Sequence, residues 1–156
     1  MQRSRPIRKR GERGLTLVEL IVTVAILGIL GAAVVPVARF EIKRQKERDL
    51  RYALWQMRDA IDKYNDLASK GGIKVSVDSS NYPPDLDTLV KGVDYQGIKM
   101  KFLRHIPIDP MTGKAEWGMR SMQDDPHGDS FGGQSVFDVY SKSQGTALDG
   151  TKYVDW

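Results

Sequence analysis

Side chains able to do chemistry are few in this chain, and their spacing excludes more than it permits. The 156 residues contain no cysteine, which removes a disulfide framework, a thiolate metal site and a cysteine nucleophile. The two histidines, His105 and His127, lie 22 residues apart and neither belongs to a His-Glu-x-x-His or similar ligand spacing. No phosphate-binding loop of the GxxxxGK[ST] kind occurs. Metal hydrolysis, His-dependent nucleophilic catalysis and nucleotide hydrolysis are all disfavoured. The loop Asp124-Asp125-Pro126-His127-Gly128-Asp129 carries oxygen and imidazole donors, but such a loop is more often a solvated turn than a metal site. That leaves Glu19, a lone carboxylate in an apolar setting, as the most informative residue.

Glu19 is the single charge in the segment Leu15–Ala38, LTLVELIVTVAILGILGAAVVPVA. The uncharged run after it, Leu20–Ala38, has 19 residues and as a helix would reach ~28 Å, near the hydrocarbon thickness of a bilayer. A carboxylate inside such a span costs a few kcal/mol and commonly marks function. Thr16-x-x-Glu19 also fits a capping box, in which Thr16 caps the helix and Glu19 reaches back to the Thr16 amide. Both readings stand on the spacing alone.

The elements that position these residues follow from periodicity. The apolar run is too long for a cleaved secretory signal, and beyond it the chain passes straight into RFEIKRQKERDL with no turn. Leu50, Ala53, Leu54, Met57, Ala60, Ile61, Tyr64, Leu67 and Ala68 then recur at helical spacing until Gly71-Gly72. One helix is expected from Thr16 to about Ser69, ~80 Å long, packing on a globular body only from Leu50 onward. Asn81–Asp85 should turn into a brief helix, Leu86–Val90. Strands are expected at Ala115–Met119, Val136–Ser141 and Tyr153–Trp156, between Gly- and Asp-rich loops. Trp117, Tyr140, Tyr153 and Trp156 read as sheet or core residues. The fold class is α+β: a long N-terminal helix, transmembrane in its first part, packed on a small antiparallel β-sheet.

Charge is unevenly placed. The chain is formally +4, yet residues 1–14 hold six Lys and Arg against one Glu, and the remainder is close to neutral. A nucleic-acid-binding fold would spread basic residues over a folded face, so no nucleic-acid partner is expected. Six further Lys and Arg follow the apolar run between Arg39 and Arg51, so basic residues tie on the two flanks and orientation is left open.

The string Arg13-Gly14-Leu15-Thr16-Leu17-Val18-Glu19-Leu20, after a basic leader and before a long apolar helix, resembles the class III signal of type IV pilins and of the pseudopilins of type II secretion. Its one departure is Leu15, where the family usually has Phe. The resemblance implies cleavage between Gly14 and Leu15 by a prepilin peptidase, N-methylation of Leu15, a cytoplasmic leader and a periplasmic body. It further implies that Glu19 pairs with the Leu15 amino group of a neighbouring subunit during assembly. Gly28 and Ala32, with Gly31 beside them, make a small-xxx-small pair suited to close helix approach. Pro36 removes the hydrogen bond to the carbonyl of Ala32, where the family has a kink or melted stretch.

Two later strings narrow the resemblance. Phe102-Leu103-Arg104-His105-Ile106-Pro107-Ile108-Asp109-Pro110 is similar to the Leu-Arg-x-x-Pro-x-Asp-Pro string of the major, G-type pseudopilin of type II secretion. Phe137-Asp138-Val139-Tyr140-Ser141 is similar to a strand of the same family. G-type pseudopilins hold calcium in their C-terminal loops, and here Asp149, Asp155, Ser143 and backbone carbonyls offer hard oxygen donors. The loop is leaner in acids than the family's, and Asp149-Gly150 reads equally as a type I′ hairpin turn. The expected organisation is a leader at 1–14, a transmembrane and filament-core helix at 15–38, its amphipathic continuation at 39–70 and a periplasmic α+β part at 71–156. The expected role is structural and non-enzymatic, a subunit of an inner-membrane-derived periplasmic filament. Its partners would be further copies of itself, the peptidase, minor pseudopilins, the assembly platform and the membrane. A type IV pilus subunit, or a membrane anchor for a periplasmic binding domain, are the competing roles.

Overall fold

The computed structural model describes residues 14–76, 79–125, 128 and 130–156. The basic leader up to Arg13, and Pro126, His127 and Asp129 of the acidic loop, lie outside the described residues. Two compact units divide the chain, one up to Phe40 and the other from Glu41 to Trp156. Helix α1, Leu17–Ser69, contributes to both and continues through Pro36.

In the first unit α1 is apolar on every side. Leu17, Ile21, Leu27, Ile29, Val34 and Val37 are all exposed, because nothing else in the unit can cover them. The helix is long and apolar enough to cross a membrane. Thr23 donates its hydroxyl to the Leu20 carbonyl, so the one hydroxyl deep in the apolar run is satisfied within the helix.

In the second unit the stripe that starts at Leu50 is the core. Leu50, Met57 and Ile61 are wholly buried, with Leu54, Ala60 and Tyr64 beside them. They pack with Leu89, Leu103, Trp117, Val136, Val139 and Tyr153 into one cluster. The helix ends in a Schellman motif: Gly71, at φ 71°, donates to Ala68, and Gly72 donates to Leu67 at 3.0 Å. Gly72 also passes too close to the Tyr95 ring for any side chain, a Cβ there falling 2.8 Å from it. Helix α2 is Leu86–Lys91, capped by the Asp85 carboxylate, which accepts from the Thr88 amide at 2.7 Å.

The β structure is two separate antiparallel hairpins where one sheet was expected. Strands β1, Val93–Tyr95, and β2, Ile98–Met100, went unanticipated. Gln96 and Gly97 both have positive φ, the two-residue turn that suits a tight hairpin. Strands β3, Trp117–Arg120, and β4, Asp138–Ser141, form the second pair, shorter than expected for β4 and shifted by two residues at the start of β3. Their register sets Gly118 opposite Tyr140 and Arg120 opposite Asp138.

Tyr153–Trp156 is not a strand; Tyr153–Asp155 form a 3-10 turn. The rings explain why. Tyr153 and Trp156 pack edge to face with centroids 5.2 Å apart, and a three-residue spacing brings two side chains together in a helical turn but sends them to opposite faces of a strand.

Gly118 has a sharper constraint than its backbone. A Cβ there would lie 2.2 to 2.5 Å from three atoms of the Tyr140 ring, which covers it from the paired strand. Gly118→Ala is therefore expected to destabilise the second unit by about 1–3 kcal/mol, as other overpacked sites do. Equilibrium denaturation followed by tryptophan fluorescence would show it, and an unchanged midpoint would contradict this packing.

Candidate functional site

Thr16 caps α1: its carbonyl accepts from Leu20 at 3.1 Å and its hydroxyl oxygen accepts from the Glu19 amide at 3.3 Å. The reciprocal half of a capping box is not made. Among the described residues nothing takes up the Glu19 carboxylate, which projects from the first turn of a helix whose neighbouring side chains are Leu, Val and Ile. Leu15 lies just before the cap and is exposed. Gly28, Gly31 and Ala32 lie further along the same uncovered helix, and a Cβ at either glycine would meet nothing within 4 Å. Seven sequence-predicted residues, from Gly14 to Pro36, thus belong to the first unit, where no other described element packs on the helix.

The C-terminal residues sit in the other unit, against the later part of α1. Ala147 donates to Thr151 and Gly150 to Ala147, enclosing Leu148, Asp149 and Gly150 in a three-residue loop. Gly150 has φ 90° while Leu148 and Asp149 do not have positive φ, so the turn is not type I′ but a type I turn closed by a glycine bulge. Asp149 Oδ1 accepts from both the amide and the hydroxyl of Thr151, at 2.9 and 2.6 Å, and Oδ2 lies 3.4 Å from the Arg51 guanidinium. The Thr151 hydroxyl and amide, with Arg51 beside them, hold the Asp149 carboxyl below the usual carboxylate range. Ser143 Oγ accepts from the Gly145 amide at 3.3 Å. Asp155 shares a cleft with Arg120 and Lys152.

Of the two acids proposed for calcium, Asp149 therefore already has a cation beside it. As arranged, Asp149 fits a hairpin tied down by Arg51, and a hard divalent cation would have to displace the Thr151 and Arg51 contacts. Among the described residues no group of three or more His, Cys, Asp or Glu could hold a metal. In the acidic loop Asp124 acts as a staple: it accepts from the amides of Ser121 at 2.7 Å and Gly132 at 3.0 Å. Those amide contacts keep its carboxyl low.

Residues 9–35 match the prokaryotic N-terminal methylation motif. The match supports a type IV pilin-like protein, and the motif implies processing by prepilin peptidase and pilus-like assembly. The fold agrees: a long apolar N-terminal helix with small antiparallel sheets is a pilin-like α+β arrangement. Comparison with curated proteins and with solved structures returned no match.

One functional residue of the fold escaped the sequence reading. Glu47 is 8% exposed, and its Oε1 accepts from the Leu148 amide at 2.8 Å and the Tyr153 hydroxyl at 2.9 Å. Its signal was positional: Glu47 extends the Leu50, Leu54, Met57, Ile61 stripe backwards by three residues. Four residues either side of it, Lys43 donates to the Thr146 carbonyl at 2.7 Å and Arg51 meets Asp149. One stripe of α1 thus straps the whole C-terminal loop.

Two outcomes follow from this strap. Burial, and next the bond to Glu47, push the Tyr153 hydroxyl up to about 12 from its ordinary value near 10. A folded-state value raised above the unfolded one contributes stability that is complete below pH about 10 and lost as pH climbs towards 12. Tyr153→Phe should flatten that part of the stability–pH curve relative to wild type. Because the loop is held by α1, addition of EGTA should leave the thermal midpoint of the protein where it was; a fall reversed by calcium would restore the metal reading.

Proposed function

We propose that this chain is the major subunit of the type II secretion pseudopilus, a periplasmic filament that helps export folded proteins across the outer membrane. The observation that carries the subunit reading is the first unit of α1: an exposed apolar helix with one unengaged carboxylate near its start. Lipid before assembly and other copies of the helix after it are the two environments that suit such a surface. Cleavage after Gly14 by prepilin peptidase would leave a charged amino group on Leu15, and methylation would keep that charge. In lipid that cation and Glu19 are each costly, and paired between neighbouring copies they become tolerable. The pair sets register more than it adds stability. Gly28 and Ala32 offer close approach between helices, and Pro36 a place where α1 can yield without losing more than one hydrogen bond.

The choice of secretion over a type IV pilus for adhesion, motility or DNA uptake rests on the strings at 102–110 and 137–141. Their likeness is to the G-type pseudopilin, and the methylation motif is common to both kinds of filament. On this reading the second unit is periplasmic, the filament grows from an inner-membrane platform with minor pseudopilins, and force comes from an ATPase elsewhere.

Glu19→Ala in the native host tests the assembly role. The variant should insert and be processed normally but form no filaments by shear fractionation or electron microscopy. Filaments as abundant as wild type would end the registration role. In a strain deleted for the gene, loss of exported protein with retained surface pili supports secretion, and the opposite pattern supports the pilus.

A further inference from the structure

A cleft of about 510 Å³ opens between β3 and the closing 3-10 turn, and its lining is cationic in an unusual way. Arg120 forms part of it although its side chain belongs to a residue only 8% exposed. The guanidinium lies 4.0 Å over the Tyr140 ring, a position open because Gly118 lets that ring fold flat across β3. Its one hydrogen bond among the described residues runs from Nη2 to the Val154 carbonyl at 3.3 Å, and its Nε is buried with no partner.

A largely buried guanidinium is expensive without a counter-ion, and the unpartnered Nε leaves part of that cost standing. The register shows where the natural partner went. Asp138 sits directly across from Arg120, but both of its oxygens are taken by Arg58, at 2.6 and 3.3 Å. The Asp155 side chain also lines the cleft, and among the described residues it makes no ion pair with Arg120. Lys152 and Gln144 bring further N–H donors to the cleft wall. The result is a site that gathers two cations, Arg120 and Lys152, with the Gln144 amide and room for a ligand, beside one acidic side chain.

We propose that this cleft binds a small oxyanion, with Arg120 at its floor and Lys152 and Gln144 at its rim. The planar guanidinium suits a carboxylate, phosphate or sulfate group, where a compact ammonium would not match two oxygens at once. Bound there, the anion would bridge β3 to the closing turn. This reading is independent of the filament role and concerns the second unit alone.

The test is thermal unfolding of the full chain in nonionic micelles, titrated with inorganic phosphate at ionic strength held constant with sodium chloride. A saturable rise in midpoint is expected for wild type. Phosphate also stabilises proteins by exclusion from their surface, but that effect grows without saturating and is shared by every variant. Lys152→Gln, at an exposed position, should fold normally and weaken the apparent affinity about 3- to 5-fold, the scale of one exposed charge contact. Arg120→Met should abolish the saturable response. If Arg120→Met fails to fold, Lys152→Gln decides alone. A wild type that shows no saturation, or a Lys152→Gln variant that responds as wild type does, overturns the proposal.

Discussion

The constraint on which this molecule depends is that its first unit has an apolar surface it cannot cover. A soluble chain hides such side chains because each buried leucine or valine contributes roughly 1.5–3 kcal/mol. From Leu15 to Val37 almost every large side chain is exposed, and no other element of that unit is available to pack on them. The chain is therefore incomplete as a monomer in water. Lipid or like helices must supply the missing environment, and a helix serves both because its backbone polar groups are satisfied internally in either. Thr23, bonded to its own turn, fits that requirement. Glu19 does not: among the described residues nothing takes up its carboxylate.

The second unit solves a different problem. It is small, has no disulfide, and its β structure amounts to two short hairpins. The ends of such short strand pairs need further anchorage. Here polar side chains on the core stripe of α1 provide it. Lys43, Glu47, Arg51 and Arg58 reach Thr146, Leu148, Tyr153, Asp149, Asp138 and Trp156, so the last turns of chain are held by the helix at the positions a purely apolar stripe would leave idle. Asp109 does the same between loops. Wholly buried, it accepts from the Ser141 hydroxyl at 2.6 Å and the Met111 amide at 2.7 Å, joining the turn at 109–113 to β4. A carboxylate with such donors is secure in a core.

What could be read from sequence was what depends on local periodicity. Helix α1 was legible from Thr16 to Ser69 because both halves are regular, one by uniform apolarity and the other by a faultless 3-4 spacing that ends at two glycines. The short helix at Leu86–Lys91 was legible from its Pro-Pro-Asp start. Hairpin β1–β2 was not, since Ile98 and Met100 lie on an exposed strand with no buried face to impose alternation. Tyr153–Trp156 misled because aromatic residues favour strands, and packing between the two rings overrode that preference. The Leu15–Glu19 motif needed no fold at all to be seen. The strap through Glu47 was invisible in a segment rich in charge, where one buried acid looks like any exposed one until its partners, some hundred residues later in the chain, are known.

Satisfied and unsatisfied charges separate the two kinds of partner this chain has. Wherever it packs on itself, its buried or half-buried acids are met: Glu47 by Tyr153, Asp109 by Ser141, Asp138 by Arg58. Exposed acids such as Asp155 need no protein partner, because water serves. Glu19 belongs to neither group, since the surface around it is apolar and uncovered. On the proposed filament reading, a cation delivered by another chain would stabilise a carboxylate left open there, and assembly would then favour bringing the right position of one helix to the right position of the next. Apolar packing alone would permit many offsets along so uniform a surface. A single charge pair would penalise all of them but one, and in the proposed filament that is how a helix with almost no side-chain variety would specify its register.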